Sequence, residues 1–316
     1  MQFRHLGRSG IKLSEISLGS WLTYGGYVEE QQAIETIRRA YDLGINSFDT
    51  ANAYEHGRAE EIVGKALRDV PRSSYVLATK AYWPMGEGPN DRGLSRKHLI
   101  EQCNASLKRL GVEYVDIFYC HRYDKETPLD ETLRALDDLI RQGKVLYAGV
   151  SEWSAVQIDD ALHVADRRNF DRIAVDQPHY NLLQREIEEE ILPLCNREGI
   201  GVVVFSPLAQ GVLTGKYQPG ESLPRGSRAA APGSSLAHSA LMQESTLRKV
   251  QALKPIAEGY GLTLSQLALA WVLRRPEITS ALIGASRPEQ VEENVKGVGV
   301  QLSQGDLESI ETLLSA

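Results

Sequence analysis

The chain has 316 residues, 42% of them hydrophobic and 24% charged, with a formal net charge of −7. This length buries a substantial core and fits either two medium domains or one large α/β barrel of about 250 residues. The acidic balance argues against an electrostatic grip on nucleic acid or anionic lipid, three scattered cysteines (Cys103, Cys120, Cys195) make no disulfide framework, and no apolar run reaches the roughly 18 residues of a membrane helix. The first residues, Met1-Gln2-Phe3-Arg4-His5, lack the apolar stretch of a signal peptide, so a reducing, cytoplasmic setting without membrane insertion is expected.

In chain order, residues Phe3–Leu13 read as a hairpin turning at Arg8-Ser9-Gly10, placed to plug the lower end of a barrel. Continuous apolar runs follow at Ile16–Gly19, Asn46–Asp49, Tyr75–Thr79, Val115–Cys120, Val145–Val150, Ile173–Asp176, Gly201–Phe205 and Ser280–Ile283. Runs without alternation mark parallel strands buried on both faces. Between them, Glu30–Leu43, Ser95–Leu110, Leu129–Arg141 and Ala155–Ala165 carry helical periodicity, with Ser95 as an N-cap and Gly44, Gly111, Gly143 and Gly199 at expected left-handed ends. Gln218–Ser235, rich in Gly, Pro, Ser and Arg, has no period and reads as a lid or a disordered loop, and Ser303–Leu314 as an extra outer helix. Eight strands alternating with helices predict one (β/α)8 TIM barrel domain over residues 1–316, with an open doubly wound sheet as the alternative.

Several familiar sites are absent. No G-x-G-x-x-G follows the first strand, no G-x-S-x-G elbow occurs, and neither H-E-x-x-H nor a Cys pair suggests a metal. Gly211-Val-Leu-Thr-Gly215-Lys216 falls one residue short of a P-loop. What stands out is polar: Asp49 closes the second strand, Lys80 follows the third, His121 follows the fourth, and Tyr54 lies five residues past Asp49. In a barrel those strand ends converge on one mouth. An ammonium beside a phenol is expected to lower its pKa from about 10 toward the working range. A carboxylate would keep the ammonium charged, and an imidazole could hold a carbonyl oxygen. Such a set suits carbonyl reduction by hydride from a bound cofactor. Taken singly, Asp49 reads more often as a cap or turn residue, Lys80 as a solvated lysine, and Tyr54 or His121 as packing; four such residues at the ends of three consecutive strands are harder to dismiss.

The words around these residues are more specific. Phe48-Asp49-Thr50-Ala51-Asn52-Ala53-Tyr54, Ala59-Glu60-Glu61-Ile62-Val63-Gly64, Ala78-Thr79-Lys80 and Tyr119-Cys120-His121-Arg122 resemble the aldo-keto reductase family. Gln177-Pro178-His179-Tyr180-Asn181, Ser206-Pro207-Leu208-Ala209-Gln210-Gly211 and Ile283-Gly284-Ala285-Ser286 extend the resemblance over about residues 3–314. Within the family the chain looks closest to the branch holding the voltage-gated potassium-channel β-subunits and bacterial reductases of small aldehydes.

The resemblance implies a (β/α)8 barrel that binds NADPH/NADP+ without a Rossmann domain and reduces a small carbonyl substrate. It implies a catalytic tetrad of Asp49, Tyr54, Lys80 and His121, with Tyr54 the proton donor. For the cofactor it implies Ser151, Glu152 and Gln177 at the carboxamide, Ser20 and Trp21 at the border with substrate, and Phe205 to Gln210 (Phe205, Ser206, Pro207, Leu208, Ala209, Gln210) with Lys216 and Arg228 at the pyrophosphate. Gly284, Ser286, Gln290, Glu293 and Asn294 would hold the adenosine end, and Tyr180 matches the aromatic partner less closely. Arg287 is either a 2′-phosphate partner favouring NADPH or a solvated first-turn arginine. Trp21, Tyr27, Tyr82 and Trp83, with Tyr54 and His121, are the expected substrate pocket, and Tyr24, Met85 and Tyr123 lie in the same mouth loops. The channel β-subunits carry Asn at the tetrad His position, so His121 favours turnover. Glu152 stands where the branch often has Arg. A homo-tetramer or octamer is implied, and the alternative function is a cofactor-bearing channel β-subunit with slow chemistry.

Overall fold

The structure, a computed structural model, describes residues 1–21, 24–26, 28–230 and 234–315. Strands β1 (Phe3–His5) and β2 (Lys12–Ser14) pair antiparallel as the expected hairpin. Eight further strands follow: β3 (Ile16–Gly19), β4 (Ser47–Asp49), β5 (Val76–Ala81), β6 (Val115–Cys120), β7 (Val145–Ser151), β8 (Val175–Gln177), β9 (Gly201–Phe205) and β10 (Ile278–Gly284). They close a barrel in the order β10-β3-β4-β5-β6-β7-β8-β9, every adjacent pair parallel. This is the (β/α)8 barrel with an N-terminal hairpin; the open sheet is ruled out by closure of β10 on β3.

Helices α1 (Glu30–Asp42), α2 (Arg58–Leu67), α3 (Arg96–Leu110), α4 (Leu129–Arg141), α5 (Ala155–Arg168) and α6 (Ile191–Glu198) each follow a barrel strand. Beyond β9 come α7 (Glu244–Ala252), α8 (Lys254–Gly259) and α9 (Leu264–Leu273), and beyond β10 come α10 (Pro288–Asn294) and the outer α11 (Gln304–Ser315). Ser95 caps α3 by accepting from the His98 N–H, and Ser154 and Thr263 form capping boxes with Gln157 and Gln266 at α5 and α9. The second strand begins one residue later than expected. The Asn46 carbonyl still accepts from the Val76 N–H at 2.6 Å, but the rest of the residue turns to the hairpin: its Oδ1 accepts from the Ser14 N–H at 2.8 Å and its Nδ2 donates to the Lys12 carbonyl at 3.0 Å, tying hairpin to barrel. Among the described residues no single helix is long and apolar enough to cross a membrane. Within the periodless stretch 218–235, residues Arg228–Ala230 form a 3-10 turn, and residues 231–233 lie outside the described ones.

The hairpin does plug the barrel. Leu6 and Leu13 pack with Val76, Ala78, Ile117, Tyr119, Val175, Val203 and Leu282, the inward residues of the strands. Arg4 anchors it, donating to the carbonyls of Leu273 (2.7 Å), Arg275 (2.9 Å) and Ile278 (2.7 Å) while its Nε meets Glu15 at 2.7 Å. Since side chains alternate along a strand, the inward parity of Val76 and Ala78 carries on to Lys80, and that of Ile117 and Tyr119 carries on to His121. Register aligns Asp49 with Ala78 and Lys80 with Tyr119. The polar residues therefore occupy the last inward positions above an apolar floor.

Gly149 sets the height of that floor. A Cβ there would sit 2.5 Å from Cδ1 and 2.6 Å from Cε1 of Tyr119, whose buried ring lies under Lys80 with Nζ 5.7 Å from its centroid. Gly149→Ala is expected to destabilise the fold by about 1–3 kcal/mol, the usual cost of overpacking, measured as a lower urea midpoint at constant m-value. An unchanged midpoint would mean that the ring has room to move.

Candidate active site

Lys80 is fully buried, and its ammonium donates to the Asp49 carboxylate and, at 2.9 Å, to the Thr50 carbonyl. Its third neighbour is the Tyr54 hydroxyl at 3.5 Å. The other Asp49 oxygen accepts from Gln177 Nε2 at 2.8 Å, and the Gln177 carbonyl accepts from the Ser151 hydroxyl at 2.8 Å. Tyr54 and His121 meet edge to face with centroids 5.6 Å apart, and His121 meets Trp83 at 6.2 Å. Strands β4, β5, β6, β7 and β8 thus deliver Asp49, Lys80, His121, Ser151 and Gln177 to one mouth, and the loop after β4 adds Tyr54.

Burial dominates the titration of these groups. Desolvation pulls the Lys80 ammonium below its ordinary 10.5, against the opposing pull of Asp49. Burial, then the Asp49 charge, push the Tyr54 phenol well above its ordinary 10.0, with Arg122 acting weakly the other way. This corrects the expectation of a phenol made more acidic by its lysine. The ammonium is already neutralised by Asp49, so little of its field is left for Tyr54. His121 is held well below 6.5 by burial, then by Lys80 and Arg122, and is a neutral imidazole whose buried Nδ1 has no hydrogen-bond partner among the described residues.

A cavity of about 850 Å³ runs from this mouth across the ends of β9 and β10. Its near end is lined by Trp21, Asp49, Tyr54, Trp83, His121, Ser151 and Gln177. Its middle is lined by Phe205, Ser206, Pro207, Leu208, Gln210, Lys216 and Arg228, and its far end by Gly284, Ser286, Arg287, Gln290, Glu293 and Asn294. Ser206 (φ 55°) and Gln210 (φ 55°) are left-handed without being glycine, and Gly211 (φ 96°) follows. Strained turns of this kind persist where function demands them and gather backbone N–H groups for anions. Among the described residues Lys216, Arg225 and Arg228 have no carboxylate partner, although Arg228 lies over the Trp21 ring at 5.5 Å. An elongated cavity with aromatic and amide groups at one end and unpaired cations along it fits a dinucleotide polyanion.

Some residues expected here lie elsewhere. Ser20 is buried and donates to the Thr50 hydroxyl at 2.9 Å instead of lining the cavity. Glu152 (φ 58°) turns away and accepts from the His179 N–H at 2.9 Å. Ala209 is wholly buried under its own turn, and Tyr82 packs edge to face behind Trp83 at 5.1 Å. Tyr180 stacks on Trp271 at 5.3 Å in the core and donates to Glu188, so Phe205, and not Tyr180, is the aromatic in the middle of the cavity wall. Tyr27 lies outside the described residues. Arg122, Thr214, Arg225 and Ser265 line the cavity without having been singled out from the sequence, because only chain folding brings their segments to it. For Arg225, its place in the Arg-bearing lid was the one available signal.

A buried acid braces the Tyr54 turn. Glu60, fully buried, accepts from Thr79 Oγ1 and from Arg109 Nε, both at 2.5 Å. The same Arg109 crowds Gly57 (φ 93°), where a Cβ would come within 2.6 Å of its Cδ. Thr79 precedes Lys80, so Glu60 joins the strand end carrying the lysine to the helix that follows Tyr54. Arg109→Met strands the Glu60 carboxylate and is expected to cost about 3 kcal/mol or more in stability, measured by urea unfolding; a loss below about 1 kcal/mol would show the brace is dispensable.

Comparison with known proteins agrees with this geometry. The sequence profile described as the Aldo/keto reductase family matches residues 15–315. A protein from Arabidopsis thaliana named "Probable voltage-gated potassium channel subunit beta" is 47% identical over 304 residues, covering 95% of this chain and 92% of the relative. One of the same name from Oryza sativa subsp. japonica is 47% identical with the same coverage. A relative from Schizosaccharomyces pombe with a corresponding beta-subunit name is 48% identical over 304 residues, covering 94% of this chain and 88% of its own.

Proposed function

The chain belongs to the aldo/keto reductase family, and from that premise we propose that it reduces aldehyde or ketone carbonyls to alcohols with NADPH. The observation that carries the reading is the contact chain Asp49–Lys80–Tyr54 beside His121, at one end of a cavity whose other end is cationic. NADPH, held at this end of the cavity, would supply the hydride for the carbonyl carbon. Tyr54 gives its proton to the carbonyl oxygen, and Lys80 faces the phenolate that remains until solvent returns the proton. Asp49 and the Thr50 carbonyl fix the ammonium in place at the moment charge appears. His121, neutral, offers an N–H to the same oxygen and keeps it within reach of Tyr54. Gln177 and Ser151 are the amide and hydroxyl that would hold the nicotinamide carboxamide, with Phe205 beside the ring. The turn Ser206–Gln210, Lys216 and Arg228 would hold the diphosphate, and Arg287 a 2′-phosphate.

A raised phenol suits a proton donor, because the group stays protonated at every pH below its pKa. Likewise an imidazole with a depressed pKa stays neutral at every pH above it. Reduction is therefore expected to show no titration of Tyr54 or His121 between about pH 6.5 and 10. An alkaline limb in kcat below pH 9 would report proton loss either from Lys80, whose ammonium burial disfavours, or from Tyr54 against its upward shift; a limb that persists in Lys80→Met belongs to Tyr54 and overturns that direction. Tyr54→Phe is expected to lower kcat by about 10²–10⁴ while tryptophan quenching by NADPH persists. Undiminished NADPH oxidation across good aldehydes would reject the donor assignment. Side-by-side titration with NADH, in wild type and Arg287→Ala, tests the coenzyme: loss of the NADPH preference in the variant supports the phosphate contact.

A second reading has its own support in the names of the relatives: a regulatory β-subunit docked to a membrane channel, with slow chemistry. Assembly as a homo-tetramer or octamer belongs with it. Co-purification with a membrane partner, together with turnover barely above background, favours this reading; robust turnover by the isolated protein favours the first.

A further inference from the structure

We infer that Arg122 is an anion clamp in the substrate end of the cavity, so the carbonyl compounds this site prefers carry a carboxylate. The inference rests on the reductase reading and names its substrate class. Arg122 follows His121 directly at the end of β6 and lines the cavity with Tyr54, Trp83 and His121. Its position is fixed twice: Nη1 donates to the His121 carbonyl at 2.5 Å, and the guanidinium lies over the Trp83 ring at 5.6 Å. Trp83 in turn meets His121, and His121 meets Tyr54, so the cation is one ring away from the reacting groups.

The guanidinium is held in place and left unpaired. It has five N–H donors, and its one protein acceptor among the described residues is that backbone carbonyl. By contrast, the partly buried Arg109 pairs with Glu60 and Arg72 with Asp116. Arg122 forms no ion pair among the described residues. The nearest carboxylate of the cavity end, Asp49, is already taken by Lys80 and Gln177. Nor does Arg122 belong with the cations along the cavity. Lys216, Arg225 and Arg228 come from the chain after β9, three strands around the barrel from β6. It shares the cavity lining with Tyr54 and His121, beside the carbonyl those residues would hold. A planar fork with free donors, backed by an aromatic face, is built for bidentate capture of a carboxylate. Anions would also be drawn in, because the cavity gathers cations in a protein whose net charge is −7.

The test compares 4-carboxybenzaldehyde with its neutral isostere, methyl 4-formylbenzoate, at saturating NADPH. Within each enzyme the ratio of the two kcat/KM values is read, so that any change in the chemical step common to both cancels. Wild type is expected to favour the acid by about 10–100-fold, mainly in KM. Arg122→Leu should bring the ratio to about one, and Arg122→Lys should recover part of it. A wild-type preference for the ester, or the same ratio in Arg122→Leu, overturns the clamp. Turnover of both substrates at an unchanged ratio would leave the reductase reading standing and remove only this inference. Should Arg122→Leu fail to fold, wild type alone decides: benzoate must compete with the ester at least 10-fold better than benzamide. If no aldehyde turns over, the reductase reading fails by itself. Tryptophan quenching by benzoate against benzamide, in NADP+-loaded wild type and in Arg122→Lys, then still reads the anion site; equal quenching by the two ligands overturns it.

Discussion

A lysine with no solvent exposure stands at the mouth of this barrel, and the arrangement around it follows from the need to keep its charge tolerable. Removing an ammonium from water costs several kcal/mol unless partners replace the lost hydration. Asp49 supplies the counter-charge and the Thr50 carbonyl a second acceptor; Gln177 satisfies the carboxylate's remaining oxygen. Those partners come from two strands, β4 and β8, and the loop after β4, while the lysine itself stands on β5, so the charge is stable only when the barrel has closed. The third direction of the ammonium faces Tyr54, the one neighbour able to exchange a proton with a ligand. The site is thus a residue of the folding problem: what the buried ion pair leaves unsatisfied is what a substrate meets.

The packing beneath serves the same end. Hairpin residues Leu6 and Leu13 fill the lower barrel, and Gly149 leaves room for the Tyr119 ring beneath Lys80. An apolar floor excludes water from below, which strengthens the Lys80–Asp49 attraction and raises the Tyr54 phenol together. The same low-dielectric surroundings keep His121 neutral. Outside the barrel, Glu60 and Arg109 tie the Tyr54 turn to the strand carrying Lys80, so the donor and its cation are positioned by one connected unit.

Charge is distributed against the average of the molecule. Over a chain with net charge −7, unpaired cations collect along one cavity and at the Arg122 position beside its reactive end. Lys216 and Arg225 are exposed and Arg228 and Arg122 half-buried, so it is their gathering around one cavity, in an acidic chain, that is informative. The family relationship accounts for the scaffold on which this cavity is built.

Strand and helix periodicity made the barrel legible before any coordinates: Val115–Cys120, Gly201–Phe205 and Leu129–Arg141 stand where their residues predict. Motif words around Asp49, Tyr54, Lys80 and His121 pointed to one mouth, because strand parity is local and the barrel rule then brings the ends together. Misplaced residues share a cause. Ser20, Glu152 and Tyr180 were matched by position in a motif, but a hydroxyl, a carboxylate and a phenol each found a nearer protein partner once the chain closed. The sequence by itself determined the order of elements, the alternation that buries them and the residue types at the strand ends, since these depend on neighbours along the chain. Only the tertiary structure decided the direction of the Tyr54 shift, the pairing of Glu60 with Arg109 and the solitude of Arg122. Each depends on dielectric surroundings and on partners tens of residues away, which no local pattern encodes.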